Sequence, residues 1–139
     1  MKKTVTLAVA TAALLAMLAG CSNGGTPSDQ DSGDGNVIKI GVYEPSTGDS
    51  ASGGKKEMLG MQYAHSLTPT VEVGGVEYTV ELVPADNGSS TDKAPTAANS
   101  LISAGVSVVL GSYGSGVSIA AGEAFKNAGI PAIGVTCTN

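Results

Sequence analysis

The stretch VVLGSYGSGVS, from Val108 to Ser118, decides the fold. An apolar run is followed by a loop of glycine and serine around one tyrosine, and then by VSIAAGEAFKNAG, in which apolar residues recur at helical spacing. A buried strand, a small-residue loop and a helix in this order are typical of one βα unit of an open α/β sheet. Such sheets bind ligands at the carboxyl ends of their strands, where helix N-termini offer unpaired N–H groups to an anion.

The same alternation of short strands and longer helices extends over residues 37 to 139 and predicts a parallel sheet with crossover helices. Strands are predicted at Val37 to Val42, from Val76 after a Gly74-Gly75 turn, at Val106 to Leu110 and at Pro131 to Val135; helices are predicted from about Lys55 to Leu67, from a cap at Ser90 or Thr91 to Gly105, and from Val117 to Gly129. We expect the strand from Val76 to be an edge strand. Because only TCTN follows the last strand, we expect the chain to begin a longer protein.

The amino-terminal segment carries the pattern of a secretory signal over residues 1 to 20, with two lysines followed by a short apolar run. The sequence LAGC that ends at Cys21 resembles a bacterial lipobox, which implies removal of the signal and diacylation of Cys21. Residues 21 to 36 have the composition of a flexible tether. Lipid on Cys21 would leave Cys137 without an intrachain partner, so we expect no disulfide framework.

Hydroxyl groups follow two neighbouring strands of the predicted sheet. Ser115 and Ser118 lie in the loop and helix start after Leu110, and Thr136 and Thr138 follow the last strand. Because these strand ends converge, we predict one ligand site there; helix capping and turn formation are the alternative roles of these side chains. We assign Ser118 to helix capping.

The stretches IKIGVYEPSTG and DNGSSTDKAPTAANSLISAGVSVVLGSYGSGVSIAAGEAFKNAGIPAIGVTCTN resemble the amino-terminal lobe of the leucine/isoleucine/valine-binding proteins. These are the type I substrate-binding proteins of ABC importers. The resemblance covers about Ile38 to Asn139 and implies a Rossmann-like parallel sheet flanked by helices. This sheet would be part of the N-terminal lobe of a type I periplasmic-binding-protein fold, whose second lobe is missing from the sequence.

The resemblance also implies roles for individual residues. Ser115 matches the serine that binds the ligand carboxylate through its hydroxyl and N–H, and Thr138 matches the threonine that binds the ammonium and carboxylate groups. Thr136 matches a position that contributes a backbone carbonyl, and Tyr113 and Gly114 would line the same loop.

One departure from the family pattern concerns the ligand. The family often places an aromatic side chain over the side-chain pocket, and the matching position here is Gly53, which weakens the case for a branched aliphatic ligand. We expect at best weak binding by this part alone, since a second lobe closes such sites.

The function implied is that of an extracytoplasmic solute-binding lipoprotein, held on the cell membrane by the Cys21 lipid. It would capture a small polar solute, an amino acid or a related amide or urea, for the permease subunits of an ABC transporter. No catalysis, cofactor or metal is expected. A ligand-sensing receptor module of the same fold is an alternative.

Other classes of function fit the sequence less well. A nucleotide-binding Rossmann enzyme, for which Asp86 could serve as the ribose-binding acid, lacks the G-x-G-x-x-G pattern after the first strand. A hydrolase would have only His65, in the middle of a predicted helix, as the base for a serine nucleophile. A metal site would have only one histidine and one cysteine without lipid as ligands. The net charge of −5, without a basic stripe, argues against nucleic acid.

Overall fold

The computed structural model describes residues 35 to 138, so the predicted signal, Cys21 and most of the tether lie outside the described residues. The elements are β1 (Val37–Glu44), α1 (Ala51–Leu67), β2 (Thr70–Val73), β3 (Val76–Asp86), α2 (Ala94–Ser103), β4 (Val108–Leu110), α3 (Ser115–Asn127) and β5 (Ala132–Ile133). Among these residues, no helix has the length and apolarity needed to cross a bilayer.

The strands form one sheet in the order β2-β3-β1-β4-β5. All neighbouring pairs are parallel except β2 with β3, which form the hairpin around Gly74 and Gly75. The predicted α/β fold is therefore confirmed. The predicted edge position of the Val76 strand is wrong in the strand order, because β2 lies outside β3. Since β2 pairs only with Val76 to Thr79 and β1 only with Thr79 to Asp86, each half of β3 is nevertheless paired on one side.

The core lies between the sheet and the helices α2 and α3. Tyr43 of β1 is its largest buried side chain, and its ring meets that of Phe125 edge to face, with centroids 5.6 Å apart. The Tyr43 hydroxyl lies 3.3 Å from the Val117 carbonyl and 3.4 Å from the Ala94 carbonyl, so one side chain links β1 to both helices. Buried alanines on α2 and α3 let the helices approach the sheet closely.

Several element boundaries differ from the predictions. Helix α1 begins at Ala51, before the predicted Lys55, and α2 begins at Ala94, after the predicted caps, with no capping side chain. Residues 91 to 93 form turns instead, in which the Lys93 and Ala94 N–H groups donate to the Ser90 carbonyl. Gly105 follows α2 with φ of 73°, as predicted for a left-handed residue after a helix.

Candidate ligand-binding site

The loop between β4 and α3 presents an open helix N-terminus. Gly114, with φ of 113°, precedes the helix, α3 begins at Ser115, and no side chain caps it. The first intrahelical bond is donated by the Ser118 N–H, to the Gly114 carbonyl. Within the described part of the chain, the N–H groups of Ser115, Gly116 and Val117 therefore have no acceptor, and they carry the positive end of the helix dipole. The alternative role of Ser115 as a helix cap is thus not observed.

The loops after β4 and β5 meet at this helix end. The strands are parallel neighbours, paired at Val109 with Ala132, and the Thr138 N–H donates to the Ser115 Oγ at 3.1 Å. The structure therefore brings together Ser115 and Thr138, as the sequence predicted. Thr136 is exposed on the same loop, and no side-chain hydrogen bond is found for it among residues 35 to 138.

Ser118 supports the loop and does not cap the helix, so its predicted role is wrong. Its Oγ accepts the Ser112 N–H at 3.3 Å and lies 3.1 Å from the Ser112 Oγ. The Cys137 Sγ lies 3.0 Å from the same hydroxyl and donates to the Ser112 carbonyl at 3.5 Å. Ser112 is fully buried, so this cluster fixes the loop from inside while Ser115 stays at the surface.

Tyr113 forms a side wall of the loop. It is 41% exposed, and its ring lies against Gly53 of α1, where a Cβ would come within 2.6 to 2.8 Å of three ring atoms. The space that a side chain at residue 53 would occupy is therefore filled by an aromatic ring from the β4–α3 loop. Gly53 is conformationally ordinary here; its lack of a side chain is what the Tyr113 ring requires.

Glu44, at the end of β1, was missed by the sequence reasoning. Its Oε2 accepts the Tyr113 N–H at 2.7 Å, and the side chain is only 1% exposed. Burial raises the pKa of the Glu44 carboxyl to about 8; the Tyr113 N–H opposes this rise, and the neighbouring Glu57 carboxyl adds to it. The one signal in the sequence was a carboxylate at the end of the first strand.

Asp86 holds the loop between β1 and α1. Its carboxylate accepts hydrogen bonds from the Ser46 and Thr47 N–H groups, the Thr47 hydroxyl and the Gly88 N–H. Its slight burial alone would raise the pKa of Asp86, but these four donors outweigh it and hold the pKa well below its usual range. Because both oxygens are bonded within the protein, Asp86 does not fit the ribose-binding role considered above.

The hydrolase and metal-site alternatives, which the sequence disfavours, gain no support from the described part of the chain. The His65 Nε2 lies 2.9 Å from the Val80 carbonyl oxygen, so one ring nitrogen is bonded to the backbone. No group of three or more potential metal ligands occurs among residues 35 to 138.

Comparisons with known proteins bear on the family and the fold. The family model described as periplasmic binding protein matches residues 37–139. A leucine-binding protein, LivK, from Thermotoga maritima is 32% identical, with a TM-score of 0.67 over 73% of this chain and 28% of its own. The Streptococcus pneumoniae LivJ protein in complex with isoleucine is 30% identical, with a TM-score of 0.65 over 74% of this chain and 30% of its own.

A solute-binding protein from Rhodopseudomonas palustris in complex with benzoate is 29% identical, with a TM-score of 0.60 over 70% of this chain and 27% of its own. The chain thus spans less than a third of the length of these solved structures. None of the curated proteins matches the sequence.

Proposed function

The chain belongs to the periplasmic binding protein family, and on that premise we propose that it forms one wall of the solute site of an ABC importer's substrate-binding protein. The open N-terminus of α3 carries this proposal. Its free N–H groups and partial positive charge suit an anion, and the small residues around them let the anion approach the backbone.

The ligand group that fits this wall is a carboxylate. Because the Ser115 Oγ already accepts the Thr138 N–H, its own proton is free to be donated to the ligand. The relatives support this chemistry, since isoleucine, benzoate and 3,4-dihydroxybenzoic acid, which are bound in three of the similar structures, share a carboxylate and little else. The solute proposed here is an amino acid, with its carboxylate at Ser115.

The ammonium group and the side chain of the ligand would contact the other predicted residues, Thr138, Tyr113, Thr136 and Gly114. Thr138 is exposed and bonded through its N–H to Ser115, and its hydroxyl oxygen would accept a hydrogen bond from the ammonium group. The half-exposed ring of Tyr113 offers an apolar wall to the ligand side chain. Thr136 and Gly114 contribute backbone groups to the rim.

The setting of the site is proposed from the sequence. The lipobox-like LAGC supports a lipid anchor on Cys21, which would hold the protein on the extracytoplasmic face of the cell membrane, and the family match supports delivery of the solute to permease subunits. The family match favours a binding protein over an enzyme, and the free N–H groups at the start of α3 suit the binding of an anion.

The test is calorimetric titration of the full-length protein with L-leucine, L-isoleucine and benzoate. Ser115→Ala should weaken binding of each ligand by roughly ten- to a hundredfold, since it removes a charge-assisted hydrogen bond of about 1.5 to 3 kcal/mol. Thr138→Val should weaken the two amino acids more than benzoate, which has no ammonium group.

Ser103→Ala is the matched control, because Ser103 is exposed at the end of α2 and outside the site. Binding by Ser115→Ala with the affinity of Ser103→Ala would show that the carboxylate does not sit at α3. Failure of all three ligands to bind the wild-type protein would refute the proposed ligand class.

A further inference from the structure

Glu44 lies beneath the loop between β4 and α3, residues 111 to 114, which is the ligand loop of the proposed site, and its carboxyl group is buried. Its Oε2 is bonded to the N–H of Tyr113, two residues before Ser115. Its Oε1 has no hydrogen-bond partner among the described residues and lies against Gly111, where a Cβ would be 2.7 Å away. A carboxyl group this deeply buried is rarely left without a cation, so its protonation state needs an explanation.

The titratable side chains described around Glu44 are carboxyl groups and phenols, and none of them carries a positive charge. Glu57 of α1 lies beside it, and both Glu57 oxygens are buried without a partner in the described part of the chain. Asp86, its register neighbour on β3, is ionised and bonded to its own loop. The Tyr113 phenol lies over α1, and the Tyr43 hydroxyl points to the opposite face of the sheet, towards α2 and α3.

Burial and the adjacent Glu57 carboxyl both disfavour the ionised form of Glu44, so Glu44 retains its proton near neutral pH. A neutral Glu44 can accept the Tyr113 N–H through its carbonyl oxygen and direct its O–H towards Glu57. Loss of this proton leaves two negative charges between β1, α1 and the ligand loop.

We propose that Glu44 is a positioning residue of the ligand loop whose protonation is coupled to ligand binding, so that binding of a carboxylate takes up a proton. This inference rests on the function proposed above. The step is an acid–base equilibrium alone: the Glu44 carboxylate gains one proton from solvent, and no other bond is made or broken. A ligand carboxylate at the N-terminus of α3 adds negative charge near the pair and therefore favours the protonated form.

Linkage fixes the sign and size of the effect. If the ligand favours protonated Glu44, protonation favours the ligand by the same factor. Affinity should be constant where Glu44 is already protonated in the free protein and should fall as the pH rises through the range where it ionises. The steepest fall is about tenfold per pH unit, which corresponds to one proton taken up per ligand.

The experiment is titration of the full-length protein with L-leucine and with benzoate at about pH 6, 8 and 9, values that bracket the titration of Glu44. Each titration is made in two buffers of different ionisation enthalpy, which counts the protons taken up. The wild-type protein should lose affinity between the two highest pH values and take up a fraction of a proton there. With benzoate, which has no group of its own that titrates between pH 6 and 9, Glu44→Gln should abolish both effects, whatever its absolute affinity, because an amide does not titrate.

Two further variants separate titration from structure. Glu57→Gln removes a neighbour that raises the pKa of Glu44, so the fall in affinity should begin at lower pH. This variant tests the coupling if Glu44→Gln does not fold. Glu123→Gln, on an α3 side chain that is 77% exposed, should behave as wild type. If Glu44 had a purely structural role, Glu44→Gln would change the affinity by the same factor at every pH and would leave the proton uptake intact.

The outcomes distinguish the two proposals. If L-leucine or benzoate binds with an affinity that does not change with pH, or if Glu44→Gln takes up protons as wild type does, the coupling is refuted and the proposed function stands. If neither ligand binds at any pH, the proposed function fails, and this inference fails with it.

Discussion

Three glycines of α1, Gly53, Gly54 and Gly60, provide the sharpest test of how this helix packs. The test replaces each of them by alanine. Where the new Cβ meets no other atom, this change should stabilise the protein by about 0.5 to 1 kcal/mol, because glycine loses more backbone entropy on folding than alanine does. At Gly60 a Cβ meets nothing within 4 Å, so Gly60→Ala should realise this gain. At Gly54 the Cβ would overlap the backbone carbonyl of Pro45 and lie 2.7 Å from two of its ring carbons.

Because a backbone carbonyl cannot yield as a side chain can, Gly54→Ala should cost about 1 to 3 kcal/mol from overpacking. Gly53→Ala meets the Tyr113 ring at 2.6 to 2.8 Å, but this ring is the end of a half-exposed side chain and can rotate away. Its stability should change little, whereas its relative affinity for L-leucine and benzoate should change, because the wall of the loop has moved.

Urea unfolding of the full-length variants, followed by circular dichroism, measures the order of stability. The predicted order is Gly60→Ala above wild type, Gly53→Ala near wild type and Gly54→Ala below it. Gly122→Ala, at an equally open position on α3, is the control for the general effect of alanine. If Gly54→Ala stabilised the protein as much as Gly60→Ala, the close contact between α1 and Pro45 would be refuted.

Two further predictions concern the β1–α1 loop and the amino terminus. Asp86→Asn should lower the unfolding temperature at neutral pH, by the equivalent of about 1 kcal/mol after discounting for the exposure of this carboxylate. The folded-state pKa is depressed, so the stability that Asp86 contributes is present above its unfolded pKa and is lost as the pH falls; thermal unfolding of wild type and variant should therefore converge towards low pH. Cys21 should carry a diacylglyceryl group, and mass spectrometry of the mature protein from a membrane fraction checks this; a free Cys21 or cleavage at another bond would remove the proposed anchor.

The elements that the sequence predicted well are those in which local pattern and packing agree. The apolar run of β4, the helical spacing of α3 and the left-handed Gly105 each follow from residues close together in the chain. The convergence of Ser115 and Thr138 was also predictable, because parallel neighbouring strands end at the same edge of a sheet.

The sequence could not predict features that depend on partners distant in the chain. Ser118 has the spacing of a cap, yet its hydroxyl bonds Ser112 and lies beside Cys137, 19 residues away. The buried position of Glu44 depends on the Tyr113 N–H, 69 residues away, and on the side of the sheet that α1 covers. A carboxylate at the end of a strand is equally consistent with a solvated loop residue until these contacts are known.

Two adjacent residues of β1, Tyr43 and Glu44, have different roles: Tyr43 packs in the core and Glu44 contacts the ligand loop. Successive side chains of a strand point to opposite faces, so Tyr43 reaches α2 and α3 in the core while Glu44 lies under the ligand loop. The proposed contact surface for the ligand carboxylate consists mainly of backbone N–H groups at the start of α3, which do not depend on the identity of the side chains. In this chain the Tyr113 ring fills the space beside Gly53, so specificity is expected to respond to residue 113 and affinity for the carboxylate to residue 115.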